Sequence, residues 1–402
     1  MLKLADSRKD IRIFMKQALI IGAGISGITA GRILAENNYQ VTILEKRDHI
    51  GGNVYDYYED NILIHKYGPH LFHTRLPQVA EFIKQFSEFF PYEHRVLGEI
   101  QGKLVPIPFN FKSIDMLFNI EEATHLKQAL KQAYPEKESV PVMELRKSKD
   151  KKVQELAEFV YQNVFYGYTK KQWGKSPEEM DSSVMARVPV RLSYDDRYFT
   201  DEFQIMPLLG YTELITTMAE HKNISIRYQC DALSHLVVEK EKIYFDGEEW
   251  KEPVIYTGCI EELSGRCFGN LPYRSLIFEL EHKNVTQAQP VVQVNYPNQY
   301  LYTRTSEFKL LQKEPVKDKT VLVYEYPVPC TETRIPYYPV ESEENRTLYK
   351  KYKELLEPVK NLYLLGRLAE YQYYNMDITI YQAMNLAYKL IGEEKNGDNK
   401  GK

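Results

Sequence analysis

Apolar and polar positions along this chain change period several times. Ala18 to Ile21 form a short unbroken apolar run, Ile25 to Asn37 carry apolar residues at helical spacing, and Val41 to Leu44 are apolar again. Short continuous apolar runs are the mark of buried strands, and the segment between these two is long enough for one helix, so the chain opens as β-α-β. Leu126, Ala129 and Leu130 recur at helical spacing, as do Val153, Leu156, Val160 and Val164, with charges on the other faces. Residues 111 to about 180 therefore read as helical, with "SKDKKVQEL" as a solvated helix start. "RVLGEIQGKLVPIPFN" predicts a hairpin around Gln101-Gly102. Strand patterns return over 223–258 and in "QPVVQVNYP", "YLYTRTSEFKLL" and "TVLVYEYPV", all rich in valine and tyrosine. The end predicts a buried strand ("NLYLLGRL"), a loop and a closing helix, followed by a disordered tail over residues 393–402. No internal repeat is visible.

Composition narrows the class. A hydrophobic share of 43% and a charged share of 27% are those of a globular protein. A net charge of −4 gives no reason to expect nucleic acid or an anionic membrane as partner, so an anionic ligand must be met by placed arginines. Cys230, Cys259, Cys267 and Cys330 make no C-x-x-C pair, which fits a reducing, cytoplasmic setting. No apolar run approaches the roughly 18 residues of a membrane span. The first residues are too polar for a signal peptide, and residues 1–14 read as an extension ahead of Met15. The 32 tyrosines against two tryptophans fit base-composition bias and an aromatic-rich wet cleft equally well.

The most specific local signal lies inside the β-α-β unit. Gly22, Gly24 and Gly27 form G-x-G-x-x-G between a strand and a helix, and Glu45 ends the next strand at about the spacing expected of an acidic ribose partner. Gly22 permits the tight turn, Gly24 lets a pyrophosphate approach the backbone, and Gly27 and Gly31 let the helix lie close to the sheet. Free N–H groups at the helix start attract phosphate oxygens. A glycine pair, Gly51-Gly52, followed by Asn53, and a late Gly366-Arg367 ahead of a helix, point to FAD rather than a nicotinamide cofactor. The N-terminus of that last helix can stabilise negative charge on a reduced flavin.

"HKYGPHLFHT" gathers His65, His70 and His73. No carboxylate-rich or thiolate motif accompanies them, and Gly68-Pro69 prevents a shared helical face, so no metal is expected. No G-x-S-x-G elbow and no convincing catalytic cysteine are present.

In order along the chain stand "GAGISG", "GGNVYD", "HKYGPHLFHT", "LVPIPFN", "YGYTKKQWG", "RVPVRLSYDDRYFTDEFQIMP", "LPYRSL", "NYPNQYLYTRTSEFK", "EYP", "YYPV" and "GRLAEYQYYNMD". Over about Gln17 to Ala387 this series resembles the bacterial UDP-galactopyranose mutases. The resemblance implies an α/β fold: a Rossmann-like FAD-binding domain (residues 17–75, 205–265 and 355–392), a helical insert with a mobile lid (111–204) and an antiparallel β-sheet substrate domain (76–110 and 266–354). It implies a cytoplasmic homodimer that binds a UDP-sugar. It also implies a flavin-dependent isomerase that interconverts UDP-galactopyranose and UDP-galactofuranose through a covalent adduct at flavin N5. Only reduced FAD would be active, and the N-acetylated sugar is an alternative substrate.

By the same resemblance, Arg187 and Arg304 grip the diphosphate, a role suited to bidentate guanidinium pairing. Phe165 and Tyr168 pack on uracil, and Trp173 shields the sugar. Tyr198, Tyr338 and Tyr373 donate hydroxyls, while Asn295 and His94 make polar contacts to the substrate. His70 faces the flavin with Leu71 beside it, His73 supports the loop, and His65 is structural. Ser26, Lys46, Gly52, Asn53, Arg367, Tyr374, Asn375, Met376 and Asp377 complete the expected cofactor site with Gly22, Gly24, Gly27 and Glu45. Cys259 and Glu261 replace the family's proline and aspartate, a change expected to touch only a loop, and Asn375 replaces an aspartate found in some members near the sugar. Two other classes compete: an ordinary flavin oxidase or dehydrogenase, and a nucleotide- or carbohydrate-binding protein with a vestigial flavin fold.

Overall fold

The structure is a computed structural model that describes residues 16–176 and 189–397. The opening unit is Lys16–Ile21, Ile25–Glu36 and Tyr39–Leu44. Its two strands pair in parallel, joined by Ile224–Arg227, Val254–Tyr256 and Leu362–Leu364 in the order 224–227, 39–44, 16–21, 254–256, 362–364. Every pair is parallel, which demands cover on both faces. One face packs Ile28, Ile33 and Leu34 of the first helix with Ile380, Ala383 and Ala387 of the closing helix into one core. The other face packs Leu19 and Leu44 against Val254, Tyr256 and the buried Tyr352.

A second, seven-stranded sheet runs 338–339, 273–283, 320–329, 304–307, 293–295, 96–100, 103–107. The hairpin at Gln101-Gly102 joins its last two strands, both turn residues having positive φ (52° and 77°) as a two-residue hairpin requires. One pair in this otherwise antiparallel sheet, 293–295 with 96–100, is parallel. Those strands are far apart in sequence, so no tight reversal constrains their direction. Gly98, Asn295, Arg304, Glu325 and Phe278 stand directly opposite one another in successive strands. Directly opposite residues share a face, so Asn295, Arg304 and Glu325 project to the same side.

Helices between residues 111 and 173 form their own core with Val96, Val105 and Ile107 of the sheet. Asp150 caps Lys151–Val160, its carboxylate accepting the N–H of Lys152 (2.8 Å) and Val153 (3.1 Å). The helix does not continue as one α-helix. Tyr161–Tyr166 is a π-helical turn, after which Gly167–Trp173 resumes α geometry. A wider turn rotates the next helical segment relative to the apolar stripe, as recurs near functional sites.

Two expectations change. "YLYTRTSEFKLL" is a strand only over Arg304–Glu307; residues 308–311 form a 3₁₀ turn, and the carbonyls of Tyr300 and Tyr302 accept from Lys171 instead of a neighbouring strand. The closing helix runs Met376–Gly397, into the segment read as a tail; residues 398–402 lie outside the described residues.

Candidate active site

Two clefts open between these layers. The first, about 700 Å³, follows the glycine turn and continues past Gly366 and Arg367. The second, about 960 Å³, lies between the helices, the seven-stranded sheet and the start of the closing helix. His70, Arg367 and Met376 line both.

The first cleft has the chemistry of a dinucleotide cradle. A Cβ on Gly52 would stand 3.0 Å from Cα of Gly24, so two bare backbones meet at its floor. A Cβ on Gly27 would stand 2.1 Å from the carbonyl oxygen of Gly22, which keeps the helix on the strand. Glu45 is buried with its carboxylate accepting the N–H of Ala23 (2.8 Å) and Arg47 (2.9 Å). Each carboxylate oxygen retains a lone pair for a ribose hydroxyl. Asn53 accepts from Arg47 (2.8 Å), whose guanidinium lies 4.5 Å over the ring of Tyr67.

His70 sits at the junction. Its Nδ1 lies 2.8 Å from the carbonyl oxygen of Gly68 and so carries the proton, leaving Nε2 as an acceptor. Burial, with His65 and Arg367 nearby, pulls its pKa down to about 3. His65 accepts the His70 N–H on Nδ1 (3.2 Å) and is likewise held neutral by burial. His73 meets Asp201 at 2.5 Å and stacks on Phe199, tying its strand to the loop beyond Tyr198. Among the described residues no cluster of histidine, cysteine, aspartate or glutamate has the arrangement of a metal site.

The second cleft is aromatic and basic. Arg304 keeps only 18% of its side chain exposed and lies 3.0 Å from the buried Glu325. Burial works against its charge most strongly, but Glu325 together with Tyr168, Tyr338 and Tyr198 outweighs that and holds Arg304 above its ordinary value. Burial raises Glu325, and Arg304 offsets this in part. Tyr338 stands between the rings of Trp173 (6.0 Å) and Tyr373 (5.6 Å), and Arg367 lies over Tyr373 at 4.6 Å. Buried His94 meets Tyr198 edge-on, its pKa lowered to about 3 by desolvation and by Arg304.

All nine described residues expected at the substrate line this cleft: His94, Phe165, Tyr168, Trp173, Tyr198, Asn295, Arg304, Tyr338 and Tyr373. Arg187 lies outside the described residues. Phe165 also belongs to the helical core.

The comparisons with known proteins extend over nearly the whole molecule. The UDP-galactopyranose mutase family matches residues 163–373, and the NAD(P)-binding Rossmann-like domain family matches residues 20–86. The UDP-galactopyranose mutase of Mycoplasma pneumoniae is 36% identical, over 93% of this chain and 96% of its own. The chain belongs to the UDP-galactopyranose mutase family. It is therefore an isomerase enzyme with a dinucleotide-binding Rossmann-like domain. A dTDP-fucopyranose mutase of Escherichia coli is 34% identical over 95% of this chain and all of its own. A crystal structure of reduced UDP-galactopyranose mutase shares the fold, with a TM-score of 0.70 at 15% identity over 94% of both chains.

Within this mutase fold most of the expected cofactor residues divide between the two clefts. Gly22, Gly24, Ser26, Glu45, Lys46, Gly52, Asn53, His70, Arg367 and Met376 line the first cleft. Leu71, Tyr374 and Asn375 line only the second. Asp377 lines neither; it is buried at the helix start, where its carboxylate accepts the N–H of Ile378 (2.8 Å). Gly27 lines neither cleft and sits where its helix lies tightly on the strand. Cys259 and Glu261 do more than shape a loop, for both line the first cleft. Burial raises the Glu261 carboxyl to about 7, and the Tyr273 hydroxyl donates to it at 3.3 Å.

Sequence reading missed the residues that hold others in place. Arg191 is buried and donates to the carbonyls of Arg197 and Tyr198 (3.0 Å), fixing the loop that presents Tyr198. Arg274 caps the helix that ends at Trp173, donating to the carbonyls of Gln172 (2.8 Å) and Lys171 (3.0 Å). Glu325, inside the "EYP" motif, had no role until its strand was set beside Arg304. A lone charge in an otherwise apolar strand was the available signal for Arg191 and Glu325; Arg274 shares its strand with Glu279, Glu281 and Lys283 and gave no such signal.

Proposed function

We propose that this protein interconverts UDP-galactopyranose and UDP-galactofuranose, with reduced FAD in the first cleft and the nucleotide sugar in the second. What supports the reading is the junction: a cradle suited to a dinucleotide and an aromatic, arginine-bearing cleft share His70, Arg367 and Met376. Gly24, Gly52 and Glu45 would hold FAD in the first cleft, and when bound and reduced it would supply a nucleophilic nitrogen, N5, for an isomerisation without net redox change.

The chain's own residues do the rest. Glu45 accepts from a ribose hydroxyl, and the Gly24–Gly52 floor admits the pyrophosphate. Arg304, cationic and shielded from bulk water, holds the substrate diphosphate with Arg187. Tyr198, Tyr338 and Tyr373 add hydroxyl donors at no cost of a buried charge. Phe165 and Tyr168 give uracil an aromatic face, and such stacking contributes roughly 1–3 kcal/mol. Trp173 screens the sugar. Neutral His70 presents Nε2 as an acceptor at the junction. The division into cofactor, helical and sheet domains follows the same assignment.

The test is turnover of UDP-galactofuranose with and without dithionite, read by chromatography. Conversion only under reduction is expected. Consumption of an electron acceptor in step with substrate would make the protein an oxidoreductase, and tight UDP binding without conversion would make it a binding protein. Running the 2-acetamido analogue beside it reads the choice of sugar. Arg187→Ala is expected to lose at least about 10²-fold in turnover.

A further inference from the structure

The helical segment 161–173 and loop 296–302 meet at three places. The side-chain amide of Asn298 donates to the carbonyl of Asn163 (3.0 Å). At Gly167 the backbones are so close that a Cβ would stand 2.5 Å from the Pro297 carbonyl oxygen and 2.3 Å from Oδ1 of Asn298. Lys171 then sends Nζ to the carbonyls of Tyr296, Tyr300 (3.0 Å) and Tyr302 (3.1 Å). An ammonium has three N–H donors, and each finds one carbonyl.

The position of this junction gives it consequence. The helix carries Tyr168 and Trp173 into the lining of the second cleft, and the loop joins the strands that carry Asn295 and Arg304 into the same lining. Lys171 is the residue of the helix that binds the loop along its length. Desolvation lowers its pKa to about 8, the expected sign for an ammonium drawn out of water.

We propose that Lys171 is a positioning residue that sets the width of the substrate cleft by holding loop 296–302 against the helix. This rests on the second cleft being the nucleotide-sugar site. The lysine touches no reacting group, so its loss weakens binding while leaving chemistry on bound substrate largely intact. A purely structural role would lower the amount of folded protein and move neither constant selectively.

The experiment compares wild type, Lys171→Met and the exposed neighbour Lys170→Met, each with FAD bound. KM and kcat are measured with UDP-galactofuranose, and UDP affinity by tryptophan fluorescence in a Trp250→Phe background, which leaves Trp173 as reporter. Lys171→Met is expected to keep its flavin, raise KM and the UDP Kd about 10-fold or more, and change kcat by less than about 3-fold. Lys170→Met should match wild type. Unchanged KM and UDP affinity in Lys171→Met, or a loss confined to kcat, overturns the proposal. Should Lys171→Met not fold, Asn298→Ala loosens the same junction from the loop side, and wild-type constants there overturn it equally. Wild-type protein that binds UDP without turnover would sink the proposed reaction instead, and the UDP affinities would still decide the role of Lys171.

Discussion

Arg304 shows what a residue gains from its partner. It faces Glu325 at 3.0 Å, with the carboxylate side chain 4% exposed. Arg304→Ala is expected to cost at least about 10²-fold in turnover. It also strands a buried carboxylate, a loss of about 3–5 kcal/mol in stability. Arg304→Ala/Glu325→Gln separates the two: urea melts should recover while turnover stays low, and recovered turnover would remove Arg304 from the site. His65 ties pH to stability. Its folded pKa is about 3 against an ordinary 6.5. The unfolded chain therefore takes up a proton below 6.5 that the folded chain refuses. The stability is present in full above pH 6.5 and is lost as pH falls toward 3. His65→Gln should flatten this limb by up to about 1.4 kcal/mol per pH unit. Urea melts between pH 7 and 4.5 measure it; an unchanged slope would show that His65 titrates normally.

At the scale of elements, the first helix and its glycine turn act as one unit. Gly27→Ala places a methyl 2.1 Å from the Gly22 carbonyl oxygen and 3.1 Å from Ile20. Backbone cannot yield as a flexible side chain would, so the helix must lift and open the cradle. The purified variant is expected to lack flavin absorbance. Gly102→Ala, in a turn with nothing near the added methyl, should keep its flavin and lose only about 1 kcal/mol of stability. A yellow, fully loaded Gly27→Ala protein would refute the packing argument. The π-helical turn at Tyr161–Tyr166 is the contrasting case. Its apolar residues repeat as in an ordinary helix, so the altered hydrogen-bond ladder left no trace in the pattern.

Over the whole molecule, the first cleft draws its walls from segments around residues 22–54, 230–233, 256–273, 330–336 and 366–379. A ligand touching all of them binds the folded chain alone, so it stabilises by RT ln(1 + [L]/Kd), about 2.7 kcal/mol at a hundredfold excess over Kd. FAD should therefore raise the melting midpoint of the stripped protein, and UDP should raise that of the reloaded protein further. A midpoint indifferent to FAD would mean that these segments do not close on one cofactor.

Local periodicity and turn chemistry determined the β-α-β unit, the hairpin at Gln101-Gly102 and the helices around Leu126 and Val153, because each depends on neighbours within a few residues. The series of motifs was enough to select the family and to name nine residues that line the second cleft. Only the tertiary structure decided which strand lay beside which. That set Arg304 against Glu325, turned Tyr374 and Asn375 toward the second cleft, and brought Lys171 to three carbonyls far along the chain. Such pairings depend on sheet order and loop path, and a one-dimensional pattern carries neither.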